Sequence, residues 1–165
     1  MGDTKLFPVD ARLNRVNGLI RTLFHNKSKM SIVEVAKLTK SNVDILWPQI
    51  HAADFLGLVD IVDDDIELTK LGTALHTNDE KAIVEVGKRL KTVEPFKTAY
   101  ALSLEKGSFS TEDLSDELNR KGILYMADPA ENVAAINVLL FQWAIYFNII
   151  DYDGKQRLWI KEESV

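Results

Sequence analysis

The stretch from Ser31 to Gly72, SIVEVAKLTKSNVDILWPQIHAADFLGLVDIVDDDIELTKLG, constrains the fold more than any other part of the chain. Ser31 and Glu34 make a capping box, the serine satisfying an orphan amide and the glutamate reaching back. Behind them Ile32, Val35 and Ala36 form one apolar stripe at helical spacing, flanked by Val33 and Leu38. Ser41-Asn42 breaks that helix. A second helix, starting there or at Asp44, turns Leu46, Ile50, Ala53, Phe55 and Leu56 inward. Pro48 is tolerable because it falls near the first turns; a start at Ser41 would bring a kink. Gly57 closes the helix. Val59 and Ile61 then alternate against Ile66 and Leu68 as strands around an acidic tip, Asp63-Asp64-Asp65. Helix, tight turn, helix and hairpin in that order make a winged helix-turn-helix.

The chain has 165 residues, room for one domain or two small ones. It contains no Cys, which excludes disulfides, zinc fingers and a cysteine nucleophile together. A net charge of −5 argues against a polyanion as the main partner. No run approaches the roughly 18 apolar residues of a membrane span, and no signal-peptide pattern opens the chain. Met1-Gly2 suggests myristoylation, but Leu6 stands where that motif needs Ser or Thr. These features read as a cytoplasmic protein.

Taken in order, residues 1–8 look like a flexible lead. Asp10 caps a helix to about Phe24, with Leu13, Val16, Leu19, Ile20 and Leu23 inside and Arg12, Arg15 and Arg21 outside. After the hairpin comes a short helical turn ending near Thr77. Thr77 and Glu80 make a second capping box, opening a long helical pattern over residues 78–105 that breaks or bends at Pro95. Ser110 and Asp113 cap a short helix that ends at Gly122. Asp128-Pro129-Ala130-Glu131 then starts a long helix, apolar from Val133 to Ile150 and so buried on most sides. Asp153-Gly154 reads as a type I′ turn between strands at Ile149–Tyr152 and Lys155–Ile160. The plan of leading helix, capped helix, longer helix and hairpin thus occurs at residues 9–77 and again at 78–165. The expected fold is mainly α with small β-hairpins, a tandem winged helix-turn-helix of two units, the second led by the long helix 78–105.

DILWPQIHAADFLGLVDIVDDDIELTKLG resembles the core of the AAA-associated C-terminal domain, a family found behind ABC-transporter ATPases of the nitrate, sulfonate and bicarbonate type. The likeness rests on the acidic helix start with Pro48, the Phe55-Leu56-Gly57 helix end, the acidic hairpin, and Leu68-Thr69 followed by Gly72. PVDARLNRVNGLIRTL and FNIIDYDGKQRLWI also look like the family's ends. The resemblance implies an ABC-transporter ATPase, or its complex, as partner. It departs from the family's usual form in that no ATPase domain precedes it, so the chain is a stand-alone member or a piece of a longer one.

No catalytic constellation is legible. There is neither a Walker A loop nor GxGxxG, so no nucleotide or other cofactor is expected. His25, His51 and His76 lack metal-ligand spacing, and the acidic tip lacks the alternating pattern of an EF-hand. No metal site and no enzyme are expected. Winged helices most often bind DNA, but that is analogy. From Ser41 to Thr69 there is no Lys or Arg, while Asp44, Asp54, Asp60, Asp63, Asp64, Asp65 and Glu67 are present. Such a wing repels phosphates. The candidate DNA contacts are Lys88, Arg89 and Lys91 on the basic outer face of residues 81–97, with Lys155 and Arg157 on the second wing. The aromatic excess points instead to protein contact, with Trp47, Trp143 and Trp159 as candidate interface residues and a homodimer through the leading helices. The leading reading is a non-enzymatic regulatory module working by protein contact. The alternative is a DNA-binding transcriptional regulator.

Overall fold

Two capping sites show how closely local sequence sets the helices. Ser110 Oγ accepts from the Asp113 amide at 3.0 Å while Asp113 accepts from the Ser110 amide at 3.0 Å, closing a full capping box. Asp128 accepts from the Glu131 amide, with Pro129 as the first helical residue. These features belong to a computed structural model that describes residues 5–163; residues 1–4, including Gly2 and half of the expected flexible lead, lie outside the described residues.

The chain divides into two compact units, Asp10–Val86 and a second built from Gly87–Val165 together with Met1–Val9. The first contains α1 (Leu13–His25), β1 (Lys29–Ser31), α2 (Ile32–Thr39), α3 (Val43–Phe55), β2 (Val59–Val62), β3 (Asp65–Leu68) and α4 (Lys70–His76). Helix α5 (Glu80–Leu90) carries the chain across the division. The second unit contains α6 (Phe96–Lys106), β4 (Ser108–Phe109), α7 (Thr111–Arg120), α8 (Pro129–Leu139), β5 (Ile150–Asp153) and β6 (Leu158–Lys161). Its sheet has the order β4-β6-β5, the counterpart of β1-β3-β2 in the first. Both units therefore run helix, short strand, helix, helix, hairpin. This is a mainly helical protein with small antiparallel sheets, a tandem winged helix-turn-helix.

Several expectations need correction. Asp10 does not cap α1, which begins behind Arg12 without a side-chain cap. The Arg12 amide instead donates to Gln49 Oε1 at 2.8 Å, and Gln49 Nε2 returns a bond to the Asp10 carbonyl at 3.0 Å. Ser31 caps α2 as expected, accepting from the Glu34 amide. Thr77 ends α4, and the Lys81 amide is capped by Asp79. The helical pattern over 78–105 is two helices, α5 and α6, separated around a cis Glu94-Pro95 bond. Phe7 is buried between Phe96 and Trp143, so Leu6–Pro8 is no loose lead. Each hairpin also gains a third strand too short to have shown in the sequence pattern.

The second hairpin is not a two-residue type I′ turn. Asp153 pairs with Leu158, and the Lys155 and Gln156 amides donate to Asp153 Oδ1, while Arg157 takes the positive φ of 56°. This longer loop sets Tyr152 opposite Trp159, and Trp159 opposite Phe109. Burying those aromatics outweighs the local turn preference.

The Ser110–Asp113 box has a measurable pH signature. The bond from the Ser110 amide holds the Asp113 carboxyl below its ordinary range; partial burial opposes this, and the Ser110 hydroxyl and Lys106 charge assist. A carboxyl whose folded pKa is depressed stabilises the fold fully above its unfolded pKa, about 3.9. That stability is lost as pH falls through the lower folded value. Ser110→Ala should cost about 1 kcal/mol. Asp113→Asn should lower the urea midpoint at neutral pH, and its gap from wild type should close as pH falls below the unfolded pKa. A gap that persists in acid would contradict the assignment.

Candidate protein-contact surfaces

In each unit the longer helix that follows the turn, α3 or α8, occupies the position from which a winged helix would read a groove. Helix α3 starts where the Asn42 side chain accepts from the Asp44 amide, and Gln49, Leu46, Ile50, Ala52 and Ala53 bury its inner face. Its outer face presents Asp44, Trp47, His51 and Asp54. Trp47 is 38% exposed and stacks on His51 with ring centroids 5.3 Å apart. Stacking one turn apart holds an indole in place on a helix that itself contains no Lys or Arg.

Helix α8 is apolar nearly all round, so the sequence alone does not say which side meets water. It continues into a π-helical turn, Leu140–Ala144, where the Ile145 amide reaches back to the Leu140 carbonyl at 3.3 Å. Leu139, Leu140, Trp143 and Ala144 point inward. Val138, Phe141 and Tyr146 point out, Phe141 being 40% and Tyr146 44% exposed. These three correct the expectation of a helix buried on most sides. Phe141 is propped against Tyr152 and Trp159 of the adjoining hairpin, at 4.7 Å from each ring.

Two of the three tryptophans proposed as interface residues are core residues. Trp143 and Trp159 are both fully buried. Trp143 packs on Phe7 and Phe147, and Trp159 Nε1 donates to Thr111 Oγ1 at 2.9 Å. Burial removes both from any interface. Trp47 is exposed.

The candidate DNA contacts occupy different positions in the second unit. Lys88 is exposed on the last turn of α5 and Arg89 is half-buried beside it. Lys91 lies over the Tyr100 ring, 4.3 Å from its centroid. Lys155 and Arg157 are exposed on the loop of the second hairpin. Arg12, Arg15 and Arg21 belong to the first unit.

The Leu56-Gly57 and Leu68-Thr69…Gly72 motifs prove to be one structural joint. Thr69 Oγ1 donates to the Gly57 carbonyl at 2.6 Å and accepts from the Gly72 amide at 3.0 Å. The Thr69 amide bonds the Leu58 carbonyl, and a Cβ on Gly72 would collide with that same carbonyl oxygen. Glycine is required there by close approach. Behind the second unit's surface, the Glu94 carboxylate, 3% exposed, accepts from the Thr98 amide at 3.0 Å and hydroxyl at 2.8 Å. Lys121 Nζ lies 3.9 Å away. Tyr125 donates to the Glu94 carbonyl, and burial, then the Glu94 charge, pushes its phenol well above the ordinary tyrosine range. Asn132 accepts from the Tyr125 and Met126 amides, pinning the loop ahead of α8. Among the described residues no cluster of three or more His, Asp or Glu could hold a metal ion. No helix among them is long and apolar enough to cross a membrane.

The fold and these surfaces define a class: a tandem winged-helix protein whose helices α3 and α8 contain no Lys or Arg. The model of the C-terminal AAA-associated domain matches residues 33–153, most of the chain, and the protein belongs to that family. The family is an accessory domain associated with ATPases, not a catalytic one. No match was found among curated proteins or among solved structures.

Proposed function

We propose that this chain is a non-enzymatic regulatory module that docks by protein contact on an ABC-transporter ATPase or its complex. One observation carries the reading. Neither α3 nor α8 with its π-helical continuation contains Lys or Arg, and large apolar side chains are exposed on both: Trp47 on α3, and Val138 on α8, Phe141 on its continuation and Tyr146 just beyond. Aromatic side chains on a face free of like cations suit a desolvated protein interface, whereas a phosphate backbone requires cations. The two compact units, Asp10–Val86 and Gly87–Val165 with Met1–Val9, in place of the expected 9–77 and 78–165, are its two working halves. The same reading includes a cytoplasmic location, a homodimer through the leading helices, and no need of a cofactor.

The test is binding of the purified protein to the transporter ATPase complex, with Trp47→Ala and Val138→Glu as surface variants. Each should weaken binding by at least about tenfold, the scale of an interface hot spot, while leaving the melting temperature in place. A labelled duplex supplies the competing outcome. Tight, steeply salt-dependent DNA binding that is lost on Lys155→Glu and Arg157→Glu would overturn protein contact in favour of a transcriptional regulator.

A further inference from the structure

A groove in the first unit, between α1 and the α2–α3 turn, encloses about 750 Å³. Three cations line it, Arg15, Arg21 and Lys40, together with Leu38 and Ile45, and no Asp or Glu is among its lining residues. That is a local reversal in a chain with 25 acidic and 20 basic residues. Leu38 and Ile45 are 52% and 44% exposed, so its walls are apolar as well as basic.

Two residues at this groove contradict their local structure. Gly18 sits in the interior of α1, where glycine disfavours the helix relative to alanine. A Cβ there would meet nothing within 4 Å, so no packing inside the molecule requires the glycine. Lys40 ends α2 in the left-handed conformation, φ 52°, where glycine or asparagine is preferred. The first choice keeps the groove floor bare, and the second sets a cation at its rim. Local inconsistencies of this kind mark sites kept for function.

We infer that the groove binds an acidic polypeptide segment of a partner protein, its carboxylates paired with Arg15, Arg21 and Lys40 and an apolar side chain set between Leu38 and Ile45. The bare floor at Gly18 admits close approach of that segment's backbone. Charge complementarity selects an acidic partner. The concave shape and apolar walls disfavour a lipid surface or a duplex. Neither Trp47 nor Val138 lines this groove, so the inference does not rest on the proposed docking by those residues.

The test is fluorescence anisotropy of a labelled glutamate–leucine peptide of about a dozen residues, titrated with the full chain at low and moderate salt. A lysine–leucine peptide, duplex DNA and phosphatidylserine vesicles serve as comparators. The acidic peptide should bind and weaken with salt. Its dissociation constant should rise at least about tenfold in Arg15→Glu/Arg21→Glu and in Gly18→Leu. Gly18→Ala and Lys40→Gly should raise the melting temperature by about 2–4 °C while weakening the peptide. Tenfold-weaker binding in Gly18→Leu with an unaltered circular-dichroism spectrum separates groove blockage from misfolding. Peptide affinity unchanged by these variants overturns the inference, as does tighter binding of duplex or vesicles through the same residues. Trp47→Ala should leave peptide binding unchanged.

Discussion

Replacing Trp143 with alanine should destabilise the second unit by about 3–5 kcal/mol, the range for truncating a fully buried aromatic. Trp143 is completely buried, meets Phe7 edge-on at 4.8 Å and lies parallel to Phe147 at 6.1 Å. Alanine would leave a cavity ringed by rigid aromatics that cannot collapse into it, which places the loss toward the upper end of the range. The measurement is amide hydrogen exchange across the whole chain. Protection should fall in α6, α8 and the β4-β6-β5 sheet, while α1–α3 of the first unit change little. Equal loss in both units would show that they do not unfold separately.

Glu94→Ala should cost about 2–4 kcal/mol, because it strips a buried carboxylate from two buried Thr98 donors that cannot reach water instead. The Thr98 amide, in the first turn of α6, and the Thr98 hydroxyl both lose their acceptor. Lys121 retains only its bond to Thr98 Oγ1, at 2.9 Å. The lysine is half-exposed, so its ion pair with Glu94 is screened and adds little; the hydrogen bonds dominate. Glu94→Gln keeps an acceptor for one of these donors and should cost roughly half as much. Urea midpoints of the two variants decide the matter. If glutamine proves as damaging as alanine, charge rather than hydrogen bonding holds the site.

Features governed by near neighbours were mostly legible in the sequence, the caps expected at Asp10 and at Thr77–Glu80 being the exceptions. The caps at Ser110, Asp113 and Asp128 depend on residues three apart, and the turn into α3 on Asn42 and Asp44, two apart. Features governed by distant partners were not. Asp153-Gly154 carries a strong turn signal, yet the register is decided by Trp159 meeting Phe109 and Tyr152 across the sheet. The strands at Lys29–Ser31 and Ser108–Phe109 are three and two residues long, below the reach of any alternation pattern. The run from Val133 to Ile150 is so uniformly apolar that its sequence cannot tell Trp143, which is buried, from Tyr146, which is not. The aromatic excess was therefore visible in the sequence, but only packing divides it into buried and exposed side chains.

Placing Phe7 in the core of the second unit makes that unit discontinuous in sequence, with the whole first winged unit as an insertion within it. During synthesis, residues 5–9 must wait for Phe96 and Trp143 to emerge before they can dock, so the second unit closes last and over a long loop. Any polypeptide joined ahead of residue 1 would be tethered to the unit it is farthest from in the chain. Cutting the protein at residue 87 would not yield two intact halves. It would leave one complete winged unit, and a second lacking the phenylalanine that fills its aromatic core.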